Sequence, residues 1–307
     1  MKLLQLQYLG EIARRDLNIS YAAKALHTSQ SGISRQIALL ERELKLQIFE
    51  RNGKRLTGLT PAGQQIVERA SRVLEEVANI KKTGEEFSEH DRGSLVVATT
   101  HTQARYFLPT IVKRFSEDWP GVKLTIHQGN PVQVAQQVEQ GQADIGIATE
   151  AISQSAALVC LPCYQWNRSV VLPSRHPLLR SRRLSLRQLA AHPLITYDFG
   201  VAGGSAVLES FRQAGLTPNI VLTAIDADVI KTYVKLGLGV GLVATMAYDR
   251  KRDSGLQLRD ASHLFPPSTT YVGLRRQAFL RGYLLDFVAA LVPGLSRRDL
   301  QQRLASA

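Results

Sequence analysis

Over residues 1–60 the apolar positions recur with a helical period. Leu3, Leu6, Leu9, Ile12 and Ala13 share one face of a first predicted helix. Ser20 reads as the N-cap of a second helix holding Ala22, Ala23 and Leu26, and Thr28 or Ser29 as the cap of a third. In the third helix Ile33, Ile37, Leu40 and Leu44 form a stripe that can bury against the first two. Gln30, Ser31, Ser34 and Arg35 then face away from that core, near the helix start. Leu46 to Arg51, the turn pair Asn52-Gly53 and the return through Lys54, Arg55, Leu56 and Thr57 predict a hairpin.

Thr60-Pro61 follows, an N-cap with proline in the first turn of a long helix. Ile66, Ala70, Val73, Val77, Ile80 and Phe87 keep heptad spacing along it, between Glu68, Arg69, Arg72, Glu75 and Glu76. A helix lying between two domains has little else to pack against, so the seam reads as a dimerisation face. Asp91-Arg92-Gly93 closes this linker.

From Ser94 the period changes. Strands at Leu95–Ala98, Val122–His127 and Ala143–Ala148 alternate with helices at Ala104–Glu117 and Val132–Gln140. The alternation restarts with strands at Leu194–Thr196, Ile220–Thr223 and Val240–Ala244, between helices at Ser205–Gln213 and Asp226–Leu236. Such alternation predicts parallel, doubly wound sheets. Two comparable lobes with crossovers near Cys163 and Ser268 suggest a clamshell around a cleft, with Thr270–Leu274 and Gly282–Leu291 returning to the first lobe. The predicted organisation is 1–60, a linker helix 61–92, and 93–307. In the last part lobe I is 93–163 with 269–307, and lobe II is 164–268.

Composition narrows the class. A chain of 307 residues with 44% hydrophobic and 21% charged residues is an ordinary globular protein of more than one domain. Its start lacks the apolar core of an export signal, and no run approaches the roughly 20 apolar residues of a membrane span. A cytoplasmic protein with no membrane contact is expected. The net charge of +12 favours a polyanionic partner. Residues 1–72 hold twelve Lys or Arg against six Asp or Glu, so the excess gathers around the three-helix segment. Three helices, a hairpin wing and that charge make a winged helix-turn-helix that reads double-stranded DNA. The start of the third helix would supply base contacts from Thr28, Ser29, Gln30, Ser31, Ser34 and Arg35. Arg51, Lys54 and Arg55 on the wing would hold phosphate.

In the doubly wound part a ligand belongs beyond the carboxyl ends of the strands, at helix N-termini. The strand Leu95–Ala98 runs into Thr99-Thr100-His101-Thr102-Gln103, and another ends at Thr149. Their hydroxyls and amides would donate to an anion. Trp166 is either core or a cleft wall. No catalytic constellation accompanies the cleft: G-x-S-x-G and H-E-x-x-H are absent, and Asp226 with Asp228 suits the capping of a helix. Gly237-Leu-Gly239-Val-Gly241 precedes a strand instead of following one, so it reads as a turn and not a phosphate loop. Cys160 and Cys163 lack the further ligands a zinc site needs, and read as the end of a strand at a crossover. No metal, no cofactor and no enzymatic activity are expected.

The run Ser29-Gln30, Ser34, Ile37, Leu40-Glu41, Leu44, Ile48-Phe49-Glu50-Arg51 and Leu59-Thr60-Pro61-Ala62-Gly63 resembles the signature of LysR-type transcriptional regulators. The stretches 98–106, 161–168 and 226–234 are similar to the CysB/Cbl branch, the sulfur-assimilation regulators. The resemblance implies a winged helix-turn-helix, a linker helix and a two-lobed effector domain like a periplasmic binding protein. It also implies a homodimer or homotetramer that contacts RNA polymerase and switches genes of cysteine biosynthesis or sulfur scavenging. Its effector would be sulfate, thiosulfate, O-acetylserine or N-acetylserine. By motif match, Thr100, Thr102, Gln103, Thr149 and Trp166 would contact it. Where the branch has a ligand-binding threonine this chain has Ala202, which offers no hydroxyl; backbone N–H groups near Gly203 or Ser205 are the substitutes at hand. A general cysteine regulator, a Cbl-like regulator of sulfonate and sulfate-starvation genes, and a cytosolic solute receptor without promoter control are the functions to separate.

Overall fold

A computed structural model describes residues 1–53, 55–88, 92–198, 204–276, 278–292 and 294–305, with positions 82, 85–88, 204, 205, 301, 304 and 305 in backbone alone. Two compact units divide at Ser88.

The first unit begins with α1 (Leu3–Arg14), α2 (Ile19–Ala25) and α3 (Gln30–Leu44). Leu9, Ile12, Ala22, Ile33, Ile37 and Leu40 close its core. Ser29 caps α3 by accepting the Gly32 N–H at 3.0 Å. Helix α2 starts earlier than expected: Asn18, not Ser20, is its cap and accepts the Tyr21 N–H at 3.1 Å. The wing pairs β1 (Phe49–Asn52) with β2 (Arg55–Leu59), and Gly53 turns between them at φ +63°, a conformation that suits glycine. Thr60 caps α4 (Pro61–Ser88) through the Gly63 N–H at 2.9 Å. The foot of α4 does not stand apart. Ile66, Val67, Ala70 and Leu74 pack on the three-helix core, so part of the expected seam is already covered within the unit. Further along the seam Val73 and Ile80 remain exposed.

The second unit holds two five-stranded sheets. In chain order its elements are β3 (Gly93–Thr99), α5 (Leu108–Asp118), β4 (Val122–Gln128), α6 (Pro131–Glu139), β5 (Ile145–Thr149), β6 (Leu158–Trp166), β7 (Arg168–Pro173), α7 (Leu186–Ala190), β8 (Pro193–Tyr197), α8 (Gly204–Gln213), β9 (Asn219–Ala224), α9 (Ala227–Lys235), β10 (Val240–Ala244), β11 (Leu256–Asp260), β12 (Ser268–Arg275), α10 (Gly282–Leu291) and α11 (Arg297–Ala305). The first sheet runs β4-β3-β5-β12-β6 and the second β11-β7-β10-β8-β9. The sheets are mixed, not purely parallel. β3 pairs parallel with β4 and β5, and β8 with β9 and β10. The strands next to the crossovers, β6, β7 and β12, join antiparallel.

The first crossover falls at Asn167, because β6 continues in the first sheet to Trp166. Cys160 and Cys163 therefore lie inside β6 and not at its end. Both are free thiols, and burial raises them to about 11 and about 12, which leaves them protonated. Gly237 turns α9 into β10 at φ +80°, as the sequence suggests. Among the described residues no helix is long and apolar enough to cross a membrane.

Candidate functional sites

On the first unit, Ser29, Gln30, Ser31 and Arg35 lie exposed on α3 or at its cap, with Thr28 and Ser34 half-buried beside them. The Gln30 side-chain carbonyl accepts from the Ser20 hydroxyl at 3.2 Å, which orients the amide at the helix start. The stripe of α3 that contacts α1 and α2 is apolar, so burying it leaves the polar stripe outward. Arg55 is exposed at the start of β2, whereas Lys54 lies outside the described residues. Arg51 has a job inside the unit. Its guanidinium donates to Glu41 at 2.9 Å, and the same carboxylate, 6% exposed, accepts the N–H groups of Ile48 (2.9 Å) and Phe49 (3.3 Å). Glu41 thus ties α3 to the base of the wing, a role that no local pattern around it announces.

On the second unit, five of the residues singled out from sequence meet around one small cavity of about 30 Å³. Thr100, Thr102, Gln103, Thr149 and Trp166 line it with Pro131, Tyr197, Ile225 and Ala244. The reason is topological. Thr100 follows β3, Thr149 ends β5, Trp166 ends β6, Tyr197 ends β8 and Ala244 ends β10, so the carboxyl ends of strands from both sheets converge. Ala202 and Gly203 lie outside the described residues, as does the side chain of Ser205.

The polar atoms of this cavity differ in what they already bind. Gln103 is oriented by the framework: its amide donates one hydrogen to Thr270 at 3.3 Å, and its carbonyl accepts from the Tyr164 hydroxyl. Thr149 is 4% exposed and Trp166 8%, yet the Thr149 hydroxyl and the Trp166 indole N–H are buried without a hydrogen-bond partner. Two such orphans on one cavity call for an explanation, since each costs about 1–3 kcal/mol when unpaired. Arg168, 1% exposed, lies over the Trp166 ring at 4.9 Å. It donates to Pro266 and Ser268 at 2.8 Å each, which joins the two crossovers and brings positive charge to the back of the indole. Its pKa is lowered by burial.

Sequence reasoning missed Tyr197. Buried at the end of β8, its hydroxyl accepts the Ala244 N–H at 3.2 Å, and its side chain lines the cavity opposite Thr100 and Thr102. Burial raises its pKa, so the phenol stays neutral. The signal was available: Tyr197 closes a strand at its carboxyl end, the criterion that selected Thr149.

The helix at 104–117 is also different from the one expected. A π-helical turn, Gln103–Phe107, precedes α5. It places His101, Arg105 and Tyr106 on a second, polar cavity of about 420 Å³ with Asp226, Asp228, Lys231 and Arg252. Asp226 caps α9, accepting the Val229 N–H at 2.8 Å, as its position suggests. Asp228 does more than cap.

Comparison with known proteins places both units. Residues 3–64 match the model of the bacterial regulatory helix-turn-helix protein, lysR family, and residues 88–296 match the LysR substrate binding domain. The chain is 47% identical to the HTH-type transcriptional regulator SsuR of Burkholderia cenocepacia over the full length of both. It is 48% identical to the transcriptional regulator CysB of Haemophilus influenzae, over 98% of this chain and 93% of that one. The crystal structure of the cofactor-binding domain of the Cbl transcriptional regulator superposes with a TM-score of 0.68 at 42% identity, covering 70% of this chain and 95% of that one.

Proposed function

The chain belongs to the LysR family of transcriptional regulators, and from that premise we propose a promoter-binding regulator of sulfur-assimilation genes whose hold on DNA responds to a small oxyanion. The observation that carries the effector half is the pair of buried, unpartnered donors, Thr149 hydroxyl and Trp166 N–H, facing one cavity. An anion accepting from both, and from Thr100 and Thr102, repairs two desolvated groups at once. Its charge meets neutral donors and the nearby Arg168, the arrangement that favours a fully ionised ligand. A cavity this small suits sulfate or thiosulfate better than an extended acetylserine, so we assign a compact oxyanion to the lobes as they stand. On DNA, Gln30, Ser34 and Arg35 read bases and Arg55 holds phosphate. Exposed Val73 and Ile80 on α4 supply the seam for a second copy within a homodimer or homotetramer, with RNA polymerase as the downstream partner. The reading assigns the protein no catalytic step.

Fluorescence anisotropy on a promoter fragment from a sulfur-assimilation operon tests both halves. Sulfate, thiosulfate, O-acetylserine or N-acetylserine should shift the midpoint of the full-length protein; an identical midpoint with all four overturns effector control. Arg55→Ala should lower the slope of log affinity against log salt by about one unit, equally on specific and nonspecific DNA. An unchanged slope removes Arg55 from the phosphate contacts.

A further inference from the structure

The segment that brings Thr100, Thr102 and Gln103 to the anion cavity presents a second set of side chains on its other side. His101, Arg105 and Tyr106 all converge on Asp228, on α9 of the opposite lobe. His101 Nε2 lies 3.1 Å from the carboxylate, Arg105 Nε 2.8 Å, and the Tyr106 hydroxyl donates to it at 2.7 Å. Lys231, 3.2 Å from Asp228, roots the cluster in its own lobe. Its ammonium is 5% exposed and also donates to Asp253 (2.9 Å), the Ala247 carbonyl (2.7 Å) and the Tyr106 hydroxyl (3.0 Å). One carboxylate therefore joins three groups of lobe I to an anchored cation of lobe II.

The electrostatics agree with that geometry. Burial alone would raise the Asp228 pKa, yet hydrogen bonds from Tyr106 and Lys231 and the charges of Lys231 and Arg105 bring it below the usual carboxylate value. Asp226 and His101 also come within ligand reach of Asp228, but Arg105 and Lys231 already neutralise the carboxylate, so the group reads as an ion-pair hub and not a cation site. Asp228 is 30% exposed on a cavity walled by both lobes, so water can replace its partners when the lobes part. The shared element includes the π-helical turn, a rare geometry frequent at functional sites.

We propose that Asp228 is a positioning residue: an ionic latch between the lobes that holds residues 100–107 in their anion-binding arrangement. Its effect on ligand affinity rests on the oxyanion reading above; its effect on the lobes does not. A latch that favours the binding-competent form sets apparent affinity through the fraction of molecules in that form.

Full-length Asp228→Asn, Arg105→Ala and the double variant test this. Arg105 is 47% exposed, so its truncation leaves the fold intact even if the Asp228 variant is unstable. Without any ligand, hydrogen exchange of a peptide spanning 100–107 should speed up in both single variants, while peptides from β3 and β5 keep wild-type protection. Equal exchange in Arg105→Ala and wild type overturns the latch. In sulfate titrations each single variant should raise Kd by roughly tenfold, and the double by no more than Asp228→Asn alone, because the Arg105 contact is one of those that Asp228→Asn already removes. Multiplying effects, or wild-type Kd in Arg105→Ala, overturn it equally. Wild-type protein that binds neither sulfate nor thiosulfate refutes the oxyanion reading, and the exchange measurement then decides the latch alone.

Discussion

Glu41→Ala should abolish promoter binding near physiological temperature, although it removes a negative charge from a DNA-binding unit. Counterion release alone predicts the opposite sign, since a more basic unit grips phosphate harder. The structural cost outweighs that gain. Glu41 is 6% exposed, and its carboxylate is the acceptor for the Ile48 and Phe49 N–H groups and the partner of Arg51. Alanine leaves two buried donors unpaired at about 1–3 kcal/mol each, so a loss of about 2–6 kcal/mol is expected. The Arg51 term is small, because its 34% exposed guanidinium can rehydrate. Glu41→Gln keeps a carbonyl for both N–H groups and gives up only the ion pair, at a cost of about 1 kcal/mol or less. Thermal melts and anisotropy on the three proteins check the series. If Glu41→Ala melts like wild type, or binds DNA more tightly, the bracing role is wrong. The same geometry gives Arg51 an ion pair within the unit besides the phosphate contact expected of it, whereas Arg55 is expected to act through phosphate alone.

What the sequence made legible is what short-range rules decide. The Ser29 cap, the Asn52-Gly53 turn and the Thr60-Pro61 start each depend on residues a few positions apart, and each forms. The convergence of Thr100, Thr102, Thr149 and Trp166 was legible for a different reason: strand-helix alternation dictates which ends of the strands meet. Ser20 lost to Asn18 because both are good caps, and propensity cannot choose a register that packing of Ile19 decides. The heptad seam on α4 was misjudged at its foot, since nothing local says that α1 lies against it. Asp228 was hidden most deeply. It reads as a first-turn acid on a helix, and its partner His101 is 127 positions away. Polar residues gain their meaning from such distant neighbours, whereas apolar periodicity declares itself along the chain.

Thr149→Val should move two quantities in opposite directions, and that split separates a ligand contact from a structural threonine. The Thr149 hydroxyl is buried on the cavity wall with no partner, and its backbone is extended, where a β-branched residue sits without strain. In ligand-free protein, valine keeps the shape and removes a desolvated polar atom. Stability should rise by about 1 kcal/mol or somewhat more, which moves the melting point of a domain this size by about 2–4 °C per kcal/mol. With an oxyanion bound, the same hydroxyl becomes a donor to a charge, a bond worth about 1.5–3 kcal/mol. Losing it should weaken sulfate binding by roughly tenfold to a hundredfold. The stabilisation sulfate confers at fixed concentration then shrinks with the logarithm of ligand over Kd. Melting curves with and without sulfate on wild type, Thr149→Val and Thr149→Ser give both numbers, and serine should restore the ligand response. A variant that melts lower when empty, yet gains as much from sulfate as wild type, would make Thr149 part of the framework and take the oxyanion out of its reach.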